Sequence, residues 1–163
     1  MSHVPVSAKH FNVLLHTLDR AAAERPGRLI DNLKVLAEHY KRRSIVALMS
    51  DLYENPSDLL DALRPFTFAG NDLVIFHVLD PAEITFPYSD PSRFLDLESG
   101  EEVPVVPEDF ADQYRKMMQE HIESIRSKCS ESRIDYVLLD TSKPLDEALF
   151  AYLGNRERLM RVR

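Results

Sequence analysis

The chain has 163 residues, 44% of them hydrophobic and 29% charged, with a formal net charge of −7 and a pI of about 5.3. That balance suits one soluble globular domain. The acidic surface argues against nucleic acid, whose phosphates call for clustered Lys and Arg.

A first helix is predicted from a cap at Ser7 to about Ala23, with Phe11, Leu14, Leu15 and Leu18 as its apolar stripe. Pro26-Gly27 breaks it. A second helix carries Ile30, Leu33, Leu36, Ala37 and Tyr40 and ends in Lys41-Arg42-Arg43. Those cations, like Arg156, Arg158, Arg161 and Arg163 in the tail, read as helix-end charges rather than as a binding patch. Ser44–Ser50 follows, an uncharged, mostly apolar run of the kind buried on both faces in a parallel sheet. Asn55-Pro56 starts a third helix with Leu59, Leu60 and Leu63 facing inward, and Gly70-Asn71-Asp72 is a turn. Leu73–Leu79 is a second buried strand.

The segment from about 82 to 107 is rich in Pro, Asp and Glu. Within it, Phe94-Leu95-Asp96-Leu97 and Val103-Pro104-Val105 flank Glu98-Ser99-Gly100-Glu101, which predicts a β-hairpin standing off the main sheet. A long helix over about Glu108–Ser130 carries Phe110, Tyr114, Met117, Met118, His121, Ile122, Ile125 and Cys129 on its stripe. A third strand, Ile134–Leu139, precedes a last helix that begins near Thr141-Ser142 and Pro144. Leu145, Ala148, Leu149, Tyr152 and Leu153 should pack inward, and Gly154 should end it. Strands alternating with helices imply right-handed crossovers and a parallel sheet, in the spatial order Ser44–Ser50, Leu73–Leu79, Ile134–Leu139 with helices on both faces.

Each of those strands stops at a carboxylate: Asp51, Asp80 and Asp140. In open α/β sheets, ligands and metals sit at the carboxyl edge. Three carboxylates there could hold Mg²⁺, a hard cation that takes oxygen ligands. The plainer account is that each satisfies backbone donors at the following turn. His77, inside an apolar strand, reads as a core histidine with one hydrogen-bond partner, and His121 with Met117-Met118 as core. Ser50 lacks the Gly-x-Ser-x-Gly elbow of a nucleophile. Four glycines in the chain leave little room for a phosphate loop. The lone Cys129 excludes an internal disulfide or a thiolate zinc cluster and reads as a packed thiol. No run reaches the ~18 apolar residues of a membrane span, and the N-terminus lacks a signal peptide's apolar core, so a cytoplasmic location is expected.

Arg42–Glu54 (RRSIVALMSDLYE), Asp72–Val105 and Ile134–Leu153 resemble the bacterial family called domain of unknown function 58. The most specific part is His77-Val78-Leu79-Asp80-Pro81-Ala82-Glu83 followed by the Phe94–Glu101 hairpin tip. The resemblance implies a von Willebrand factor A-like domain with a metal-ion-dependent adhesion site. It also implies a MoxR-type AAA+ ATPase as partner in protein assembly or maturation. The three strands then correspond to the fourth, fifth and sixth of such a sheet. The family's Asp-x-Ser-x-Ser loop occurs nowhere in the sequence, Ile30 stands where the site's Thr belongs, and only Asp51 remains. Residues 1–163 thus read as one partial domain, the C-terminal half of the family's. A shortened piece, a partial reading frame and a degenerate relative all fit that reading.

The function expected is that of a non-enzymatic protein-interaction module with an incomplete metal site, Asp51 being its residual metal ligand. No cofactor is expected. The alternative is a small Mg²⁺-dependent α/β hydrolase or phosphate-handling enzyme using Asp51 with Asp80 or Asp140. The uncharged 44–50 strand, if left as an edge, is expected either to drive self-association by edge pairing or an exchanged helix, or to need the N-terminal half that the resemblance implies.

Overall fold

A computed structural model describes residues 8–21, 27–39, 43–96 and 100–161, the side chains of residues 8–10, 155 and 157–161 excepted. The cap at Ser7, the break at Pro26, Tyr40 with Lys41 and Arg42, and Leu97, Glu98 and Ser99 of the hairpin tip lie outside those residues. The elements are α1 (Ala8–Asp19), α2 (Leu29–His39), β1 (Ile45–Ser50), α3 (Pro56–Phe68), β2 (Asp72–Leu79), α4 (Pro81–Thr85), β3 (Ser92–Leu95), β4 (Glu102–Val105), α5 (Ala111–Glu131), β5 (Asp135–Asp140) and α6 (Leu145–Arg161). β1, β2 and β5 form one parallel sheet in that order, as expected, with Ile45 opposite Asp72 and Val74 opposite Asp135. β3 and β4 form a separate antiparallel hairpin with Phe94 opposite Val103.

Local chemistry sets the ends of these elements. The Asn55 side chain accepts from the Ser57 N–H at 2.9 Å while Pro56 occupies the first turn of α3, where its missing N–H costs nothing. After α3 the chain reverses at Gly70, whose φ of +78° suits a residue without Cβ. Buried Asn71 then joins three segments. Its Oδ1 accepts from the Ser44 N–H (2.8 Å) and hydroxyl (2.9 Å), and its Nδ2 donates to the Phe66 carbonyl (3.0 Å). This fixes where β1 begins relative to β2.

The main core lies on one face of the sheet. Leu73 and Ile75 of β2 meet Ile30 and Leu33 of α2, Leu59, Leu63 and Phe66 of α3, and Ile125 and Cys129 of α5. Each such apolar side chain stabilises the fold by about 1.5–3 kcal/mol. On the other face α6 lies over β2 and β5, with the Tyr152 ring edge-on to Phe76 at 5.7 Å. Arg156 ties this helix to the amino ends of both strands, reaching Asp72 at 3.2 Å, Asp135 at 3.3 Å and the Tyr152 hydroxyl at 2.6 Å.

Several expectations change. β1 is not buried on both faces: Val46 and Leu48 are half-buried, while Ile45 and Met49 are each 68% exposed on the outer face and Ala47 is exposed between them. α6 stops short of β1, and an apolar run cannot say which neighbours exist. The stripe of α1 (Phe11, Leu14, Leu15, Leu18) is likewise exposed among the described residues, as are Met117 of α5 and Leu145 and Leu153 of α6. Gly154 does not end α6, which continues to Arg161. A glycine inside a helix costs about 1 kcal/mol relative to alanine, and the Tyr152–Arg156 bond across that turn supports continuation. The hairpin stands off the main sheet, as expected, but aromatic contacts tie it to the rest of the chain. Phe86, buried and left-handed at φ 45°, touches Phe94 and Tyr88 on one side and Phe110 and Tyr114 on the other, at 4.8–6.0 Å between ring centroids.

Candidate functional site at the carboxyl edge

The parallel sheet brings Asp51, Asp80 and Asp140 to one edge, each at or directly after the end of its strand. They do different things there. Asp80 is the N-cap of α4: its Oδ1 accepts from the Ala82 N–H at 2.8 Å, and Glu83 returns the bond to the Asp80 N–H at 2.7 Å. Its second oxygen accepts from the Thr141 hydroxyl at 3.2 Å, joining the ends of β2 and β5. Asp140 accepts from both the Ser142 hydroxyl (2.6 Å) and the Ser142 N–H (3.0 Å), with Lys143 at 3.5 Å. The Ser142 hydroxyl bond above all, then its N–H and the Lys143 charge, hold this carboxyl below the usual aspartate range. For these two the plainer account, capping of a following turn, is the one realised.

Asp51 differs. Its carboxylate is exposed and accepts from the neighbouring Ser50 hydroxyl at 3.2 Å, which in turn accepts from the Leu52 N–H at 3.2 Å. The backbone behind it is pinned. His77 Nε2 donates to the Asp51 carbonyl at 2.8 Å, and His121 Nε2 donates to the Leu52 carbonyl at 2.7 Å. Since a carbonyl only accepts, His77 carries its proton on Nε2, leaving Nδ1 to accept from the Tyr136 hydroxyl at 2.8 Å. Burial lowers the His77 pKa and outweighs the Asp51 carbonyl bond, which raises it. His77 is therefore a core histidine with two partners, not one. Leu52 is fully buried and held at φ 53°, so the loop turns sharply with its side chain plugged into the core.

Tyr53 completes the frame, its hydroxyl donating to Glu83 Oε1 at 2.7 Å. Burial first, then the Glu83 bond and charge, raise the Tyr53 pKa, so this phenol stays protonated. Glu83 thus serves both the cap of α4 and the loop after β1. Sequence reasoning passed over Glu83, Tyr53 and His121 as site-forming residues. The signal for Glu83 was legible: Asp80-Pro81-Ala82-Glu83 is a capping box with proline at the first helical position. Beside this edge, on the outer face, an open and mostly apolar cleft of about 810 Å³ lies between Met49, Val78, Leu139 and the start of α6 at Pro144 and Leu145.

The donor set does not fit a metal-ion-dependent adhesion site. Ile30 offers no oxygen and is buried in the core rather than at the edge. Asp80 and Asp140 are engaged as caps, and among the described residues no three His, Cys, Asp or Glu side chains are grouped to hold a metal ion. A lone Asp51 leaves most of a Mg²⁺ shell to water. Calorimetric titration with Mg²⁺ or Mn²⁺ is expected to show no micromolar binding; such binding, abolished by Asp51→Ala, would overturn that.

Among the described residues no helix is long and apolar enough to cross a membrane. No curated protein and no solved structure matches the chain. A family model, described as protein of unknown function DUF58, matches residues 3–126, from before α1 into α5. It takes in the Arg42–Glu54 and Asp72–Val105 segments but not Ile134–Leu153. The chain belongs to the DUF58 family.

Proposed function

We propose that the chain is a non-enzymatic protein-interaction module of the von Willebrand A kind, capturing a partner at the carboxyl edge of its sheet without a bridging metal. The observation that supports this is the presentation of Asp51: an exposed carboxylate on a loop whose two carbonyls are held by His77 and His121. A pre-set loop loses little freedom on binding, so more of the contact energy appears as affinity. Within a chain of net charge −7, that carboxylate suits a Lys or Arg of the partner. The neighbouring apolar cleft suits an adjacent apolar side chain. The partner class is a MoxR-type AAA+ ATPase, the process is protein assembly or maturation, and a cytoplasmic location goes with an ATP-driven partner. The Mg²⁺-dependent hydrolase alternative would require Asp80 or Asp140 to give up capping bonds in order to ligate.

Binding of the labelled chain to a purified MoxR-type ATPase tests the reading. Asp51→Ala is expected to weaken capture about tenfold, or ~1.4 kcal/mol, with folding unchanged. Unaltered affinity would count against it. Magnesium-dependent turnover of a phosphate ester that disappears in the same variant would favour the enzyme.

A further inference from the structure

We infer that α4 is a conditional helix coupling the hairpin to the Asp51 loop: Phe86 at its end rests on the hairpin, and Glu83 within it holds Tyr53. Five residues make little more than one turn. Helix formation is costly to nucleate, so a piece this short stands only where its neighbours hold it. The Asp80–Glu83 capping box holds its start. Phe86 holds its end, with its N–H donating to the Ala82 carbonyl at 2.9 Å and its ring stacked on Phe94 of β3, 6.0 Å away and 14° from parallel. A residue with a side chain keeps φ 45° only while packing enforces it. Arg115 of α5 adds weaker bonds to the Thr85 and Phe86 carbonyls, at 3.3 and 3.4 Å. A single turn has two ends and no interior, so a change at Phe86 reaches Glu83 within the same turn.

The other arm is a carboxylate with both oxygens in use. Glu83 Oε2 accepts from the Asp80 N–H and Oε1 from the Tyr53 hydroxyl, each at 2.7 Å. One side chain thus serves the start of α4 and the loop after β1 together. Residues 51, 52 and 53 are each held by a different element: the Asp51 carbonyl by His77 of β2, the Leu52 carbonyl by His121 of α5, and the Tyr53 hydroxyl by Glu83 of α4. These holds are unequal. β2 and α5 carry fully buried core residues, Ile75 and Leu79 on the strand and Ile125 and Cys129 on the helix, and cannot let go without unfolding the chain. α4 has no buried residue of its own, so it can fray locally at far lower cost. When it frays, Glu83 leaves Tyr53 and the Asp51 loop loses one of its holds. Seating Phe94 on Phe86 favours the formed helix and hence the set loop. The link is internal to the chain, and it does not rest on the partner reading above.

Backbone amide NMR spectra of the full chain test the coupling through a pair of variants. Phe94→Ala removes the ring stacked on Phe86 and leaves Phe110 and Tyr114 against it. It is expected to shift the amide signals of residues 81–86 and also those of residues 51–54, on the far side of α4. Phe94→Leu, which keeps bulk but not the stacked ring, should give the same pattern at smaller amplitude. In a Tyr53→Phe background the link to Glu83 is cut. Phe94→Ala should then still move residues 81–86, while its effect on residues 51–54 should be lost. Val103→Ala, opposite Phe94 on the same hairpin but 49% exposed, should leave both segments in place. Three results would overturn the proposal: residues 51–54 unmoved by both Phe94 variants, moved equally with and without the Tyr53 hydroxyl, or moved as far by Val103→Ala.

Discussion

Replacing His77 by phenylalanine is expected to destabilise the chain by about 2–4 kcal/mol, although the new ring is apolar and of similar size. The imidazole satisfies the Asp51 carbonyl and the Tyr136 hydroxyl, at 2.8 Å each, from a fully buried position at the sheet's centre. Phenylalanine leaves both without this partner in a part-buried setting, where a lost partner costs about 1–3 kcal/mol at each group that water cannot reach. The substitution should also change the pH profile. Unfolded, His77 titrates near its ordinary 6.5; folded, burial lowers its pKa. Between the two values the unfolded chain binds a proton that the folded chain does not. Stability should therefore fall as pH drops below about 6.5, by up to ~1.4 kcal/mol per pH unit, with no contribution from His77 well above it. The ring's neighbours pull both ways: the His121 ring at 6.1 Å lowers its pKa, the Asp51 carbonyl bond and the Asp51 and Glu83 charges raise it, and burial decides the direction. Urea melts of both proteins from pH 5 to 8 read the difference directly. Parallel profiles would show that His77 is not the acid-sensitive group.

Phe86→Ala should cost about 3–5 kcal/mol, the range for deleting a buried aromatic ring. Phe86 is only 7% exposed and is the ring that Tyr88 and the hairpin residue Phe94 share with Phe110, just before α5, and Tyr114 within it. Alanine at φ 45° keeps the backbone strain and loses the contacts. Replacing Asp90–Pro104 with a short linker is expected to cost much less and to leave a soluble, folded chain. That deletion removes Phe94, which is only partly buried, while Phe86 keeps Phe110 and Tyr114. Thermal melts rank the two variants. A deletion that abolishes all soluble protein would show that the hairpin, not Phe86, holds this corner.

The parallel order of the three strands was legible because Ser44–Ser50, Leu73–Leu79 and Ile134–Leu139 are short apolar runs separated by helical periodicity. The chemistry at their ends was legible only in part. Aspartate at a strand end reads the same whether it caps a turn or faces solvent. The deciding contacts, from Thr141 to Asp80 and from Ser142 to Asp140, depend on how each loop turns. The pinning of Asp51 was hidden for another reason. His77 and His121 lie far apart in the chain yet donate to successive carbonyls, and sequence spacing carries no trace of that. Burial failed where cover was at issue: Ile45 and Met49 are as apolar as Ile75, but α6 covers only β2 and β5.

Cys129 sits fully buried where α5 meets the core, and burial pushes its thiol up to about 12. Burial keeps the reactive thiolate scarce at neutral pH. A thiol reagent must therefore wait for α5 to lift from the sheet before it can react. The chain carries an internal clock for that event. The rate at which Cys129 is alkylated under native conditions measures how often this face of the molecule opens, without any engineered label.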